Sequence, residues 1–419
     1  MQPSDHLFRR EAGRMVAALT RIFGVHNLAL AEDVVQDAFC RALEVWKFSG
    51  MPENPAAWLM ATAKNRALDV LRRERTARTF APELGRMLES EWTLAPAVEE
   101  LFGAHAVKDA QLRMMFSCCD PRLPEEAQVA LMLYILCGFS VGEIANAFVS
   151  TDAAIEKRIS RAKKVVAKSK RLFDVSAHDF SKRLPAVQRA LYLLFNEGYH
   201  GASPESAVRS ELCQEAMRLA WLLLDHPPAA TPVTRALAAL LCLHAARLPA
   251  RVDASGDLRS LFEQDRSQWD SNLVAEGQRL LDLSAAGPDL TEYHLEAAIA
   301  WVHTTAHGSE DTDWEMIVSL YDKLMAIRPS PVVALNRAIA IAQRDGPQRG
   351  LDEIHSIANA DRLASYLFYH AALGEFEFRS GRFELAREHF QTALRFARNP
   401  MEQRFIEHRI AACGPLVSA

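Results

Sequence analysis

Trp58-Leu59-Met60-Ala61-Thr62-Ala63-Lys64-Asn65-Arg66-Ala67-Leu68-Asp69-Val70-Leu71-Arg72-Arg73-Glu74-Arg75 is the stretch on which the reading of this chain turns. Its inward-facing positions, Trp58, Leu59, Ala61, Thr62, Leu68 and Leu71, recur at helical spacing. Asn65 and Asp69 then fall together on another side, and Arg66, Arg72, Arg73 and Arg75 gather towards the end. Upstream, Val34, Val35, Ala38, Phe39, Ala42, Leu43 and Trp46 repeat with the same period. Pro52 and Pro55 part the two helices; Asn54 is placed to cap the second, with Pro55 in its first turn, where a missing N–H costs little. In the first helix Asp33 and Asp37 stand at i, i+4 with Gln36 beside them, so its exposed face carries acidic and amide acceptors.

Downstream, Thr79–Glu100 mixes Pro82, Gly85 and Pro96 with acidic residues and reads as a linker, and a second helical unit runs from about Val107 to Phe173. Within it Leu123-Pro124-Glu125-Glu126 starts a helix with Val129, Leu131, Met132, Ile135 and Leu136 inward, and Gly138 stops it. Ser140, with Glu143 three residues on, forms a capping box for a short helix, Val141–Phe148. Thr151 caps a third helix, whose inward face is expected to be Ala154, Ile155, Ile159 and Ala162. Its outward face presents Asp152, Ala153, Glu156, Lys157, Arg161 and Lys164, with Arg158 partly behind. A short helix, a tight turn and a helix with a polar, basic front is the geometry that sets side chains in a major groove. Such units also occur in proteins that never meet DNA; the basic tail through Arg171 favours DNA here.

The 419 residues are 49% hydrophobic and 24% charged, which excludes disordered, collagenous and disulfide-scaffold classes. No apolar run reaches the ~18 residues of a membrane span, and MQPSDHLFRR lacks the apolar segment of a secretory signal. Seven Cys, an odd number with no C-x-x-C, suit a reducing compartment, so a soluble cytoplasmic protein is expected. Cys118-Cys119 is expected at the edge of a helical core. The net charge of −5 hides a balance of +3 over residues 1–173 and −8 over 174–419. Lys64–Arg78 and Thr151–Arg171 are basic clusters that can each neutralise phosphates; ordinary solvated helix faces are the alternative. His303 and His307 have a zinc-compatible spacing, but the Glu of H-E-x-x-H and any neighbouring Cys cluster are missing. No phosphate loop, dinucleotide fingerprint or Ser/His/Asp arrangement stands out, so no catalytic residue, metal or cofactor is expected.

Two stretches resemble one known family. Leu30-Ala31-Glu32-Asp33-Val34-Val35-Gln36-Asp37-Ala38-Phe39 and the Trp58–Arg75 stretch resemble the region-two helices of bacterial RNA polymerase sigma factors, sigma-70 family, extracytoplasmic-function (group IV) class. Residues 123–165, from Leu-Pro-Glu-Glu through Gly-Glu-Ile-Ala to Lys-Arg-Ile-Ser-Arg-Ala-Lys, resemble region four of the same class. The resemblance implies core RNA polymerase and promoter DNA as partners, no membrane, and no enzyme activity, since the polymerase performs the chemistry. It assigns Asp33, Gln36 and Asp37 to a basic coiled coil of the polymerase clamp. It assigns the Trp58–Arg75 helix to the minus-ten element, where a base of the non-template strand is flipped out. There Asn65, with Asp69 on the same side, can read a base edge, while Arg66, Arg72, Arg73 and Arg75 hold the single strand. Trp58 can stack on an unpaired base, although at an apolar helix position a core role is the commoner one. Thr151, Glu156, Lys157, Arg158, Arg161 and Lys164 are the candidates for reading the minus-thirty-five element.

Most members of that class stop after region four, whereas here residues 174–419 follow. Leu373-Gly374, Ala386, Phe390 and Ala393 occupy positions of the tetratricopeptide pattern, with Pro400 nearby. Ala334, Ala338, Ile341, Gly350, Ile354 and Ile357 fit it less well one repeat earlier, and Ile317, Tyr321 and Leu324 before Pro329 suggest another second helix. Units of ~34 residues would stack into a solenoid with a shared core. Together with Phe195–Tyr199, Gln264–Trp269, Thr291–His294 and Leu335–Ala338, this resembles sigma factors that carry a C-terminal tetratricopeptide-like extension. Those four segments either line a groove or form buried caps and inter-helix hydrogen bonds, and the second reading is favoured.

The expected architecture is all-α, with region 2 over 1–78, a linker over 79–106, a region 4 helix-turn-helix over 107–173 and a tetratricopeptide-like regulatory domain over 174–419. The acidic extension would regulate the factor in cis or receive a regulatory protein or ligand. The alternative is a helix-turn-helix transcriptional regulator with a protein-interaction solenoid that never joins the polymerase.

Overall fold

The computed structural model describes residues 3–73, 99–148, 150–168, 177–201, 206–306, 308 and 310–414. Among them every regular element is a helix, and a lone bridge joins Val252 to Leu258, as an all-α chain requires. No helix among the described residues is long and apolar enough to cross a membrane. The chain forms two compact units, Met1–Leu194 with Trp221–Ala229, and Phe195–Ala220 with Ala230–Ala419.

In the first unit, α1 (Pro3–Phe23) is an element that the periodicity reading of the sequence did not register. Every residue from Met15 to Thr20 is buried, because α2 (Leu28–Ser49) and α3 (Pro55–Arg73) pack on α1, and so does α4 (Ala104–Cys118). The residues expected to form two separate modules therefore share a wall. Gly13 makes the approach possible: a Cβ there would lie 2.0 Å from the Leu136 carbonyl oxygen. Polar ties reinforce the junction, with Arg9 to Glu143 at 3.0 Å, Arg21 to Asp109 at 3.1 Å and Lys163 to Glu32 at 2.7 Å.

Cys118 and Cys119 end α4 at zero exposure, in the middle of the core rather than at its edge as the sequence suggested. Phe116 meets Phe180 at 4.3 Å, and Phe180 stacks on His226 at 4.9 Å, which closes the core beside this end of α4. Burial pushes the Cys119 thiol up to about 12 and Cys118 up as well, and a protonated buried thiol is a poor nucleophile. Cys40 alone of the seven is exposed. Native protein is therefore expected to release about one equivalent of thionitrobenzoate from Ellman's reagent, and a Cys40→Ser variant almost none; two or more fast-reacting thiols would contradict this burial pattern.

The second unit takes the end of α8 (Ala177–His200) and much of α9 (Ser210–Leu224), then α10 (Pro232–Ala245) and the short α11 (Leu248–Arg251). It continues through α12 (Ser271–Ser284), α13 (Glu292–Thr305), α14 (Trp314–Ile327), α15 (Pro331–Asp345) and α16 (Pro347–His355). The last three are α17 (Leu367–Arg379), α18 (Phe383–Arg395) and α19 (Pro400–Ala412).

Its later helices build cores in succession. Leu295, Ile317, Leu324 and Ile341 form one, Leu335, Leu351, Ile354 and Phe376 the next, and Leu367, Ala386, Phe390 and Ile406 the last. α15 serves the first two and α17 the last two, so each helix packs on its chain neighbours. Gly374 lets Phe390 come within 2.7 Å of where a Cβ would sit, and Gly350 does the same for Ala342 at 2.4 Å. The polar segments singled out in the sequence are structural. Glu197 pairs with Arg209 at 3.2 Å inside the unit, the Thr291 and His294 side chains cap α13, and Arg337 bridges Asp322 and Glu353 at 2.6 and 2.8 Å. His303 is held down to about 3 by burial and by the Arg247 and Arg266 charges, and His307 lies outside the described residues.

Candidate nucleic-acid interface

The first candidate surface is built on α2 and α3. On α2, Val34, Val35 and Ala38 are buried while Asp33, Gln36 and Asp37 are exposed side by side, as the spacing predicts. The Asn54 side chain accepts from the Ala57 amide at 3.0 Å and so caps α3. Leu59, Ala63, Ala67, Leu68 and Leu71 bury the inner face of α3, and Asn65 and Asp69 stand exposed on the other. Ala61, expected inside, is exposed; the small inward residues are Ala63 and Ala67, one turn apart on the stripe through Leu59. Trp58 meets Trp46 edge-on at 5.4 Å, and Phe8 stacks on Trp46 at 5.7 Å and touches Phe39 at 4.7 Å, so Trp58 belongs to an aromatic cluster joining α1, α2 and α3. Arg66 donates to Asp37 at 2.9 Å, which links the acidic face of α2 to the arginine side of α3. Both groups are well exposed, so the pair is worth under about 1 kcal/mol and yields readily to another partner. The side chains of Arg72 and Arg73, and all of Arg75, lie outside the described residues.

The second surface is built on three consecutive helices, α5 (Glu125–Ile135), α6 (Val141–Ala147) and α7 (Asp152–Ala167). The capping box closes as read: the Ser140 amide and hydroxyl donate to Glu143 at 2.8 and 2.9 Å, and the Glu143 amide donates back at 3.2 Å. Gly138, at φ +64°, makes the turn before it. The Thr151 hydroxyl accepts from the Ala154 amide at 3.3 Å and starts α7, whose buried residues are Ile155, Ile159, Ala162 and Val166. Ala154 is exposed, contrary to expectation, because it sits in the first turn beyond the reach of α5 and α6; Val166 takes the fourth inward place.

Thr151, Glu156, Lys157, Arg161 and Lys164 are all exposed. Arg158 instead turns to Glu126 at 3.0 Å and lies 5.7 Å from the Phe148 ring, which puts it behind that front. Lys168, not among the residues chosen from sequence, extends the line: Lys157, Arg161, Lys164 and Lys168 are exposed at i, i+4, i+7 and i+11. At 1.5 Å per residue this stripe is ~16 Å long, enough to follow several phosphates. Lys163 faces the other way, with its ammonium 4.3 Å from the Tyr134 ring centre and bonded to Glu32 beside the acidic face of α2.

The sigma-70 region 2 family matches residues 7–77, the α1–α3 assembly just described, and a family of unknown function (DUF6596) matches residues 183–285. A probable RNA polymerase sigma factor, RfaY, of Xanthomonas campestris pv. campestris is 30% identical over 145 residues, 33% of this chain and 34% of that protein. The similarity to sigma factors therefore covers the first third of the chain. Over nearly its full length it is also similar to an uncharacterized protein of Rhizobium meliloti strain 1021, 39% identical across 94% of this chain and 92% of that one. No solved structure matches it significantly.

Proposed function

We propose that the chain is a promoter-specificity subunit of RNA polymerase, of the extracytoplasmic-function class, with a tetratricopeptide-like C-terminal extension that regulates it. The observation that carries this reading is the pairing, in a chain whose residues 7–77 match sigma-70 region 2, of an exposed Asp33-Gln36-Asp37 face with the exposed basic stripe of α7. Asp33, Gln36 and Asp37 dock core RNA polymerase through a basic surface. Asn65 and Asp69 face the unpaired minus-ten base, and Arg66, freed from Asp37, joins Arg72, Arg73 and Arg75 on the single strand. Glu156, Lys157, Arg161 and Lys164 enter the major groove of the minus-thirty-five element, Thr151 approaches the backbone at the start of α7, and Arg158 keeps the helix in place. Trp58 supports α3 from within. The successive cores of the second unit, each helix packed on its neighbours, fit a repeat array.

Run-off transcription from a cognate promoter, with core polymerase and the full chain, tests this. Asp33→Lys combined with Asp37→Lys should abolish association with core polymerase while duplex binding is kept. Lys157→Ala and Arg161→Ala should each weaken promoter binding by about 1–3 kcal/mol, with a shallower salt dependence where the lost contact is to phosphate. Output that requires another sigma factor, and none from core enzyme plus this chain, would overturn the proposal in favour of a regulator that stays off the polymerase.

A further inference from the structure

The second unit contains a cavity of about 670 Å³, bounded by α11 and the segment after it, α14, α15, and α17 to α19. That volume is typical of small-molecule sites, which are mainly apolar with a few placed polar groups. Its walls are aromatic: Phe262, Trp314, Phe368, Phe376, Phe390 and Phe405 all line it. Polymerase or DNA contact, as proposed above, uses none of these residues.

The charges in the cavity are unequal in what they have left to offer. Arg409 is bonded to Glu375, Arg259 to Asp253 at 2.6 Å, and Glu263 accepts the Ser260 amide and hydroxyl at 3.0 and 2.7 Å. Glu310 and Arg379 are exposed and of opposite sign. Arg251 is different. Its Nε donates to the Tyr199 carbonyl oxygen at 3.0 Å, its Nη2 to His200 Nδ1 at 2.9 Å, and its guanidinium lies 4.1 Å from the Tyr199 ring centre. Arginine has no acceptor, so His200 Nδ1 must be the unprotonated ring nitrogen, and Nε2, 3.5 Å from Glu402, carries the proton. These contacts fix the guanidinium, yet none of them is a carboxylate: Arg251 has no ion pair among the described residues. Two of its five N–H groups are used and three remain.

We propose that this cavity binds an organic anion with an apolar body, its carboxylate or phosphate head on Arg251 and its body against the aromatic walls. A neutral molecule of the same shape would leave the charge of Arg251 uncompensated, and a cation would be repelled by it. Because Trp314, Phe376, Phe390 and Phe405 come from four different helices, the ligand fastens α14, α17, α18 and α19 together and stabilises the unit by mass action.

The test uses the full chain without polymerase or DNA, so its outcome is separate from that of the transcription experiment. Decanoate, decyl phosphate and decanol are titrated below their aggregation limits by calorimetry, with the thermal midpoint followed in parallel. At least one of the two anions should bind ten times or more tightly than decanol and raise the midpoint; which one does so identifies the head group. Arg251→Gln should bring the anion down to the affinity of decanol, and Arg251→Lys should restore part of the difference. Phe262, 47% exposed, can be replaced without disturbing the fold, and Phe262→Ala should weaken all three ligands. Should Arg251→Gln fail to fold, the anion preference of the unaltered chain and of Arg251→Lys, with the Phe262→Ala loss, decides the matter. Absence of binding, equal affinity for decanol and the anions, or an anion preference that survives Arg251→Gln would overturn the proposal.

Discussion

Gly13→Ala is expected to destabilise the first unit by about 3 kcal/mol, at the upper end of what overpacking costs. An added Cβ would stand 2.0 Å from the Leu136 carbonyl oxygen, 2.8 Å from its carbon and 2.9 Å from its Cα. All three are backbone atoms, so no rotamer change relieves the contact; α1 or the end of α5 must retreat and loosen the packing around Met15 and Leu19. At 2–4 °C per kcal/mol for a unit of this size, the thermal midpoint should fall by roughly 10 °C. The sign is diagnostic. Gly to Ala inside an unobstructed helix raises stability by ~0.5–1 kcal/mol, so an unchanged or higher midpoint would rule out the close approach of α1 to the end of α5.

Glu402→Gln should cost the second unit about 2–3 kcal/mol. The Glu402 side chain is 1% exposed, accepts from the Arg398 backbone amide at 2.7 Å and guanidinium at 2.8 Å, and lies beside His200. Burial alone would raise its carboxyl, but His200 and Arg398 outweigh burial and hold it down at about 2. A carboxyl lowered on folding contributes stability that is complete above its unfolded value near ~4.3 and is lost as the pH falls towards 2. Gln carries no charge and cannot titrate, so the variant should be less stable at pH 7 and less sensitive to acid between pH 5 and 2. Arg398, 39% exposed, regains water in the variant, which keeps the loss below that of stranding a fully buried cation. Urea midpoints of both proteins across that range check it; parallel curves would mean that Glu402 is not the acid-sensitive group.

Local signals in the sequence were legible because they act over three or four residues. The Ser140–Glu143 box, the Thr151 cap, and the exposed Asp33, Gln36 and Asp37 all follow from spacing alone. Ala154 and Ala61 were misplaced for one reason: alanine has too little side chain to declare a face, and the neighbouring helix ends settle it. α1 does carry a helical signal, the apolar run from Met15 to Phe23, interrupted only by Thr20 and Arg21, opposite the partly exposed Arg10, Arg14 and Arg21; what the sequence does not show is that α2, α3 and α4 all pack on it. Arg251 could not have been found. Tyr199, His200 and the aromatic walls come to it from across the second unit, and a four-residue helix in a Leu-Pro-Ala-Arg stretch shows no pattern by itself.

The chain passes between its two units three times, at 194/195, 220/221 and 229/230. No single cut of the polypeptide can therefore release either unit whole. A stop codon after residue 173 would take away Phe180 and His226, which cover Phe116, as well as the entire second unit. Truncation series that assign activity to one half would thus conflate the loss of the second unit with damage to the first, and dissecting this protein calls for point substitutions within an uninterrupted chain.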